Sequence, residues 1–254
     1  MYSTSNAIDQ ISIRRVPLTR PFVWLSQAWG DMLYHRSASL AYGVLVAILG
    51  ALILAYERHP FFLAAVTSGF LLVGPIMTAG LCELSRCQDH GEATDFQTSL
   101  KALARNRHNL TRFAQILLLL AVLWFLLSGA LLYAMLGSEL APSMASTVWG
   151  DVLTQLTQTQ LIAYLAVGGT LSAVVFAISV VSVPMVIERH VDATTAIRTS
   201  LRVFIRDFPA MLVWAALIVV LVLAGFATWM LGLIIIFPLL GHATWYAYRE
   251  LVTE

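Results

Sequence analysis

Long apolar stretches alternate with short polar ones along most of this chain. Six are long enough to cross a hydrocarbon layer, which takes about 20 apolar residues in a helix. They run from Ser37 to Tyr56, Phe61 to Leu84, Leu110 to Met135, Leu161 to Ile187, Pro209 to Ala227 and Met230 to Tyr248. Pro75, Pro184 and Pro238 interrupt the second, fourth and sixth. Proline lacks the amide hydrogen that an inner turn needs, so each is expected to kink its helix. Almost nothing separates the last two stretches, which predicts a tight hairpin near Thr228 and Trp229.

Three shorter segments carry a helical period with charges beside it. Leu25, Ala28, Trp29, Met32 and Leu33 share one face of the first, and Phe96, Leu100 and Leu103 share one face of the second, next to Lys101 and Arg105. In the third, Ile197, Leu201, Phe204, Ile205 and Phe208 form the apolar face, and Arg198, Arg202 and Arg206 recur every fourth residue alongside. Each is too short and too charged to span. Each suits a helix in the headgroup layer with arginines toward phosphates, or one packed on the ends of the spans.

Amphipathic helix followed by two spans makes a unit that occurs three times, at residues 22–92, 93–192 and 193–254, after an N-terminal segment 1–21. Ser99-Leu100-Lys101 parallels Ser200-Leu201-Arg202, and each unit's second span holds a proline. The expected fold is therefore all-α: a polytopic membrane protein of six transmembrane helices and three amphipathic interfacial helices in a degenerate threefold repeat. Parallel units of this kind are related by an axis near the membrane normal.

Composition agrees with the pattern. Of the 254 residues, 59% are hydrophobic and 11% charged. Soluble domains carry roughly 25% charged residues, so a soluble fold, a disordered chain and a disulfide scaffold are all excluded. With a net charge of +1, no overall field attracts nucleic acid. Orientation follows from where the 15 Lys and Arg fall: six spans put every one of them except Arg58 on the side of the termini. The positive-inside rule makes that side cytoplasmic. No apolar run of signal length precedes Ser37, so the first span is expected to serve as the insertion signal. The far side holds one longer loop, Leu136 to Gln160, with Glu139, Trp149 and Asp151.

Candidate chemistry is sparse. Of six histidines only His242 lies within a span. It stands four residues after Pro238, which deprives the carbonyl of Ile234 of its donor. It is either a proton-sensitive contact or a polar packing residue. Glu83 and Glu188 each follow a unit's proline near the end of a span, next to Arg86 and Arg189, which fits helix-end capping and ion pairing. Cys82 and Cys87, with no second pair, do not make a metal-binding pattern and read as reduced thiols. No charged side chain lies near the middle of a span, whereas proton- and sodium-coupled carriers generally need one. No catalytic or nucleotide-binding motif appears, and no cofactor is expected.

Three stretches carry a family resemblance. They are Val73-Gly74-Pro75 leading to Gly80-Leu81-Cys82-Glu83-Leu84-Ser85-Arg86; Val181-Ser182-Val183-Pro184-Met185, with Ala196, Ser200 and Trp214; and the closing run Phe237 to Arg249. The chain resembles the bacterial predicted integral membrane proteins of the domain-of-unknown-function 2189 family. The resemblance implies six spans in a bacterial inner membrane and no assigned activity. Some relatives are labelled as oxidase subunits, but a haem–copper centre needs several intramembrane histidines and this chain offers one.

These features lead to the expectation of a non-catalytic inner-membrane protein that works by association. It would be an accessory or assembly subunit of a larger membrane complex, in contact with lipids and other integral subunits. The alternatives are a small transporter or channel for a neutral or apolar solute, with Thr67, Ser68, Thr78, Ser128, Thr170, Ser172, Ser179 and Ser182 lining a path, and a lipid-binding protein. Arg198, Arg202, Arg206, Lys101 and Arg105 are the expected headgroup or partner contacts.

Overall fold

The computed structural model describes residues 12–54, 62–136 and 156–253, with side chains throughout except at 53–54, 62–73 and 136. The expected far-side loop with Glu139, Trp149 and Asp151, Arg58, and the side chains of Thr67 and Ser68 lie outside the described residues. Helices dominate. In chain order they are α1 (Arg20–Tyr34), α2 (Arg36–Leu54), α3 (Phe62–Asp89), α4 (Phe96–Arg105), α5 (Arg107–Leu136), α6 (Gln158–Ser179), α7 (Ser182–Arg189), α8 (Ala193–Arg206), α9 (Phe208–Ala227) and α10 (Leu233–Leu251). A two-residue strand near each end, β1 (Ser12–Ile13) and β2 (Val252–Thr253), pairs antiparallel.

Each expected span falls on a helix or a broken helix. Among the described residues, Arg107–Met135, Gln158–Arg189 and Phe208–Ala227 are long and apolar enough to cross a membrane. Arg20–Tyr34 and Arg36–Leu52 qualify together, but a 107° bend separates them. The protein is an all-α membrane protein. Among the described residues α3 is not one of these helices, and neither is α10, the sixth stretch. Its first half, Leu233 to Leu240, is apolar, but from His242 onward it carries Thr244, Tyr246, Arg249 and Glu250. Those groups are tolerated because α10 is packed inside the protein, with Leu233, His242, Trp245, Tyr248 and Leu251 all buried.

The prolines divide into two kinds. Pro75 and Pro238 lie inside continuous helices. Pro184 does not kink a single helix, as the sequence led one to expect. The chain leaves α6 at Ser179 and restarts as α7 at Ser182. A continuous helix would drive the Pro184 ring into the Val180 carbonyl, whereas a first turn has no use for the missing amide hydrogen.

The three amphipathic segments are α1, α4 and α8. Asp95 caps α4 by accepting from the Thr98 amide at 2.8 Å, and Asp192 caps α8 by accepting from the Thr194 and Thr195 amides at 3.1 and 3.2 Å. Both helices end on arginines, Arg105 and Arg206, which favour the negative end of the dipole. What these helices bury differs from the periodic reading. α8 buries Ala193, Ala196, Thr199, Ser200 and Val203, while Leu201, Ile205 and Phe208 are 36%, 74% and 48% exposed. In the same way α4 buries Ser99 and Ala102 and exposes Leu100, and α1 exposes Phe22, Trp29 and Leu33. On α4 and α8 small residues let the helices close on the protein and large apolar side chains face outward, whereas α1 also buries Trp24 and Met32.

The chain forms two compact units. One comprises Met1–Ala47, Pro75–Phe113 and Phe176–Glu254, so each expected repeat unit contributes to it. Here α1 packs along α10, and the fully buried Trp24 and Trp214 meet edge to face at 5.8 Å. The Trp24 Nε1 donates to Glu250 at 2.7 Å and the Arg20 Nε to the same carboxylate at 2.9 Å, tying α1 to the end of α10. The hairpin between α9 and α10 lies where expected. Trp229 and Met230 adopt left-handed backbone, and Thr228 Oγ1 accepts from the Gly232 amide at 2.8 Å. The other unit comprises Ile48–Gly74 and Ala114–Val175. Within it Tyr164 lies 5.5 Å from Trp124 and shares a hydrogen bond with Ser128 at 2.5 Å.

Candidate functional site

The first unit is built around a buried chain of polar side chains drawn from α1, α2, α3 and α10. Ser39, Ser85 and His242 are completely buried and Asp31 is 2% exposed. His242 Nε2 lies 2.9 Å from Ser39 Oγ, and its Nδ1 lies 2.7 Å from Ser85 Oγ. Ser85 Oγ donates to Asp31 Oδ2 at 2.6 Å, and Tyr246 OH donates to Asp31 Oδ1 at 2.8 Å. A hydroxyl has one hydrogen. With Asp31 ionised, Ser85 gives that hydrogen to the carboxylate and must accept from His242 Nδ1. The Nε2 lone pair then takes the Ser39 hydroxyl hydrogen, so one arrangement satisfies every group.

Backbone spacing explains the convergence. Asp31, His35 and Ser39 recur every fourth residue through the bend between α1 and α2, and the Ser39 amide bonds the His35 carbonyl at 2.9 Å. His242 and Tyr246 lie one turn apart on α10. The helices come close where they lack side chains: a Cβ at Gly43 would overlap the Ile234 carbonyl, and one at Gly80 would overlap the Tyr42 hydroxyl. Tyr42 in turn bonds Ser99 Oγ at 2.8 Å, fastening α4 to α2. Gly74 and Gly169 have open space instead.

Glu83 lies one turn from this chain and is 2% exposed. It accepts from Arg86 Nε at 2.8 Å and from Arg105 Nη2 at 3.3 Å, joining α3 to the amphipathic α4. Arg86 also reaches Glu92 at 2.8 Å and holds that carboxyl below its ordinary range. Burial pushes the neighbouring Cys87 thiol up to about 11, and Glu83 adds to the effect. Both cysteines are buried and free. Among the described residues no group of three or more His, Cys, Asp or Glu is placed to hold a metal ion.

The remaining sequence candidates lie apart from the buried chain. Glu188 ends α7 beside Arg189, whose Nε donates to Tyr248 OH at 3.0 Å. Arg198, Arg202, Arg206, Lys101 and Arg105 are exposed positions on α8 and α4. Of the described hydroxyls expected along a transport path, three bond locally, Ser128 bonds Tyr164, and Ser179 Oγ is buried without a partner. Ser182 donates to the Ile178 carbonyl, Thr170 to Ala166 and Thr78 to Pro75. Asp31, Ser39, Ser85 and Tyr246 were not legible as site residues. The available signal was the spacing of Asp31, His35 and Ser39 on a face that otherwise buries Trp24, Ala28 and Met32.

A family model described as a predicted integral membrane protein, DUF2189, matches residues 62–188, half of the chain. The match takes in Val73 to Arg86 and Val181 to Met185; Ala196, Ser200, Trp214 and the run Phe237 to Arg249 lie beyond it. No curated protein and no solved structure matches the chain. The helical membrane architecture and the match over half its length make this chain a member of the DUF2189 family of predicted integral membrane proteins.

Proposed function

We propose that this is a non-catalytic protein of a bacterial inner membrane that acts by association, as an accessory or assembly subunit of a larger membrane complex. In this reading the six apolar stretches span, both termini are cytoplasmic, and the units follow a degenerate threefold repeat. Fourteen of the 15 basic residues on one side support the orientation. The matching Asp caps of α4 and α8, each with a threonine three residues on, support the repeat.

The observation that carries the reading is the outward face of α8. Leu201 and Ile205, with Phe208 at the start of α9, stand exposed beside Arg198, Arg202 and Arg206, while Ala196, Thr199, Ser200 and Val203 do the packing. A helix of this kind meets anionic headgroups with its guanidinium groups and acyl chains or a partner's helices with its apolar side chains. A lipid-handling role is the second reading, favoured by the same stripe. The test is the triple variant R198Q/R202Q/R206Q, measured for co-purifying membrane subunits and for retained anionic phospholipid. Loss of the subunits supports the accessory role. Loss of lipid alone supports the second reading, and no change in either removes the stripe from the account.

A further inference from the structure

We infer that Ser39, His242, Ser85 and Asp31 form a proton-relay site, in which a proton taken up at one end is delivered to the other by reversal of the hydrogen bonds between them. The ligand is a proton supplied by hydronium in water. Every gap is short, at 2.9, 2.7 and 2.6 Å in order from Ser39 to Asp31. Each gap holds one hydrogen, and each link except the terminal carboxylate can both donate and accept. His242 is the hinge of the chain, because a neutral imidazole can receive a proton on one nitrogen while releasing one from the other.

Hydrogens and charge balance along the chain. In the resting arrangement the hydrogens sit on Ser39 Oγ, His242 Nδ1 and Ser85 Oγ, and Asp31 is ionised. Ser39 is completely buried in the closed arrangement, so uptake requires a local opening at the α2 end that admits hydronium, whose proton then bonds to Ser39 Oγ. Ser39 passes its own hydrogen to Nε2, Nδ1 passes its hydrogen to Ser85 Oγ, and Ser85 passes its own to Asp31 Oδ2. Four bonds to hydrogen form and four break. Asp31 ends neutral, both serines keep a hydrogen, and the imidazole stays neutral with its hydrogen moved to Nε2. The His242 tautomer therefore reports whether Asp31 holds a proton. Tyr246, half-buried and bonded to the other Asp31 oxygen, opens this end of the chain toward the surface.

Other groups bear on the same chain. Asp89 on α3 is a further carboxyl that bears on Asp31. Arg249 on α10 pairs with Asp89 at 3.2 Å. His35, at the junction of α1 and α2, is the other imidazole close to His242, and its buried Nε2 has no partner. An imidazole next to an imidazole opposes a second charge, which favours a relay through neutral His242 over storage of an imidazolium there.

The test is nitrogen NMR of 15N-histidine protein in nanodiscs, assigned with H242Q, read against the carboxylic acid stretch in the infrared assigned with D31N. The relay predicts Nδ1–H at high pH and Nε2–H once the Asp31 acid band appears. In D31N the new amide oxygen keeps the Tyr246 hydrogen bond, and the amide nitrogen, which can only donate, faces Ser85. Ser85 then donates to His242 Nδ1, so D31N is expected to show Nε2–H at every pH. In S85A the tautomer should no longer follow the Asp31 band. The inference is overturned if the acid band appears with no change of tautomer, if Asp31 never takes a proton, if His242 becomes an imidazolium while Asp31 stays ionised, or if D31N keeps Nδ1–H.

Discussion

The Cα of Gly43 on α2 rests against the carbonyl oxygen of Ile234 on α10, a group that Pro238 leaves without its usual helical donor. The proline removes the hydrogen bond at position 238, and the glycine lets the neighbouring backbone fill the space. A Cα–H to carbonyl contact is the natural partner for such an oxygen. The same approach brings Ser39, one turn before Gly43, within reach of His242, one turn after Pro238.

Gly43→Ala should therefore destabilise the protein by about 1–3 kcal/mol, since the obstacle is rigid backbone. Thermal unfolding in detergent is the measurement. Gly30→Ala provides the control, because nothing lies within 4 Å of a Cβ there. It should leave the midpoint unchanged or raise it slightly.

Removal of Arg86 should cost more. Glu83 is 2% exposed, and losing its bidentate partner leaves a buried carboxylate with Arg105 at 3.3 Å and the weak Cys87 thiol at 3.7 Å. Breaking such a pair from one side typically costs about 3–5 kcal/mol. Arg86→Gln should thus be markedly destabilised, and Glu83→Gln in the same chain should recover part of the loss. A double-mutant cycle reads this directly. Equal loss with and without the second change would show that Glu83 does not depend on Arg86.

The cap of α8 has a pH signature. Burial raises the Asp192 carboxyl, but hydrogen bonds from Thr195 and Thr194 outweigh it and hold the group below the ordinary range. A depressed carboxyl contributes stability that is complete above the unfolded value, about 3.9, and lost as pH falls through the native one. The protection of the Thr194 and Thr195 amides, relative to the unfolded chain at the same pH, should be high at neutral pH and fall in acid. Asp192→Ala should remove that pH dependence and cost about 1 kcal/mol.

Neither cysteine should react readily. Cys82 and Cys87 are 0% and 1% exposed, and the Cys87 thiol is pushed up to about 11. Only the thiolate attacks a maleimide. Folded protein near pH 7 should label slowly at both positions, and denatured protein rapidly. Fast labelling of the folded form at Cys87 would show that the Glu83–Arg86–Glu92 cluster opens in solution.

Much of the helical pattern was legible because lipid-length apolar runs and Asp caps are local signals. The ends of α4, α8 and α9 follow from Asp95, Asp192 and Pro209. The way α10 is used was not legible. Met230 to Tyr248 read as a span, yet the second half of α10 buries His242, Trp245 and Tyr248 against helices far away in sequence. At Pro184 a kink and a restart differ only in whether the preceding carbonyl stays in register, which tertiary packing decides. The outward turn of Leu201 and Ile205 escaped the sequence because periodicity names an apolar face without saying whether protein or lipid covers it. Asp31 and Ser85 became site residues only when α1 and α3 met at α10.

The central claim is that the protein works as a subunit among others, and mass measurement of the natively extracted complex tests it most directly. The full chain would be drawn from its membrane in mild detergent, and its partners counted by native mass spectrometry. The account predicts a fixed-ratio integral membrane partner that R198Q/R202Q/R206Q loses. Recovery of the chain alone, as monomer or homo-oligomer, would contradict it.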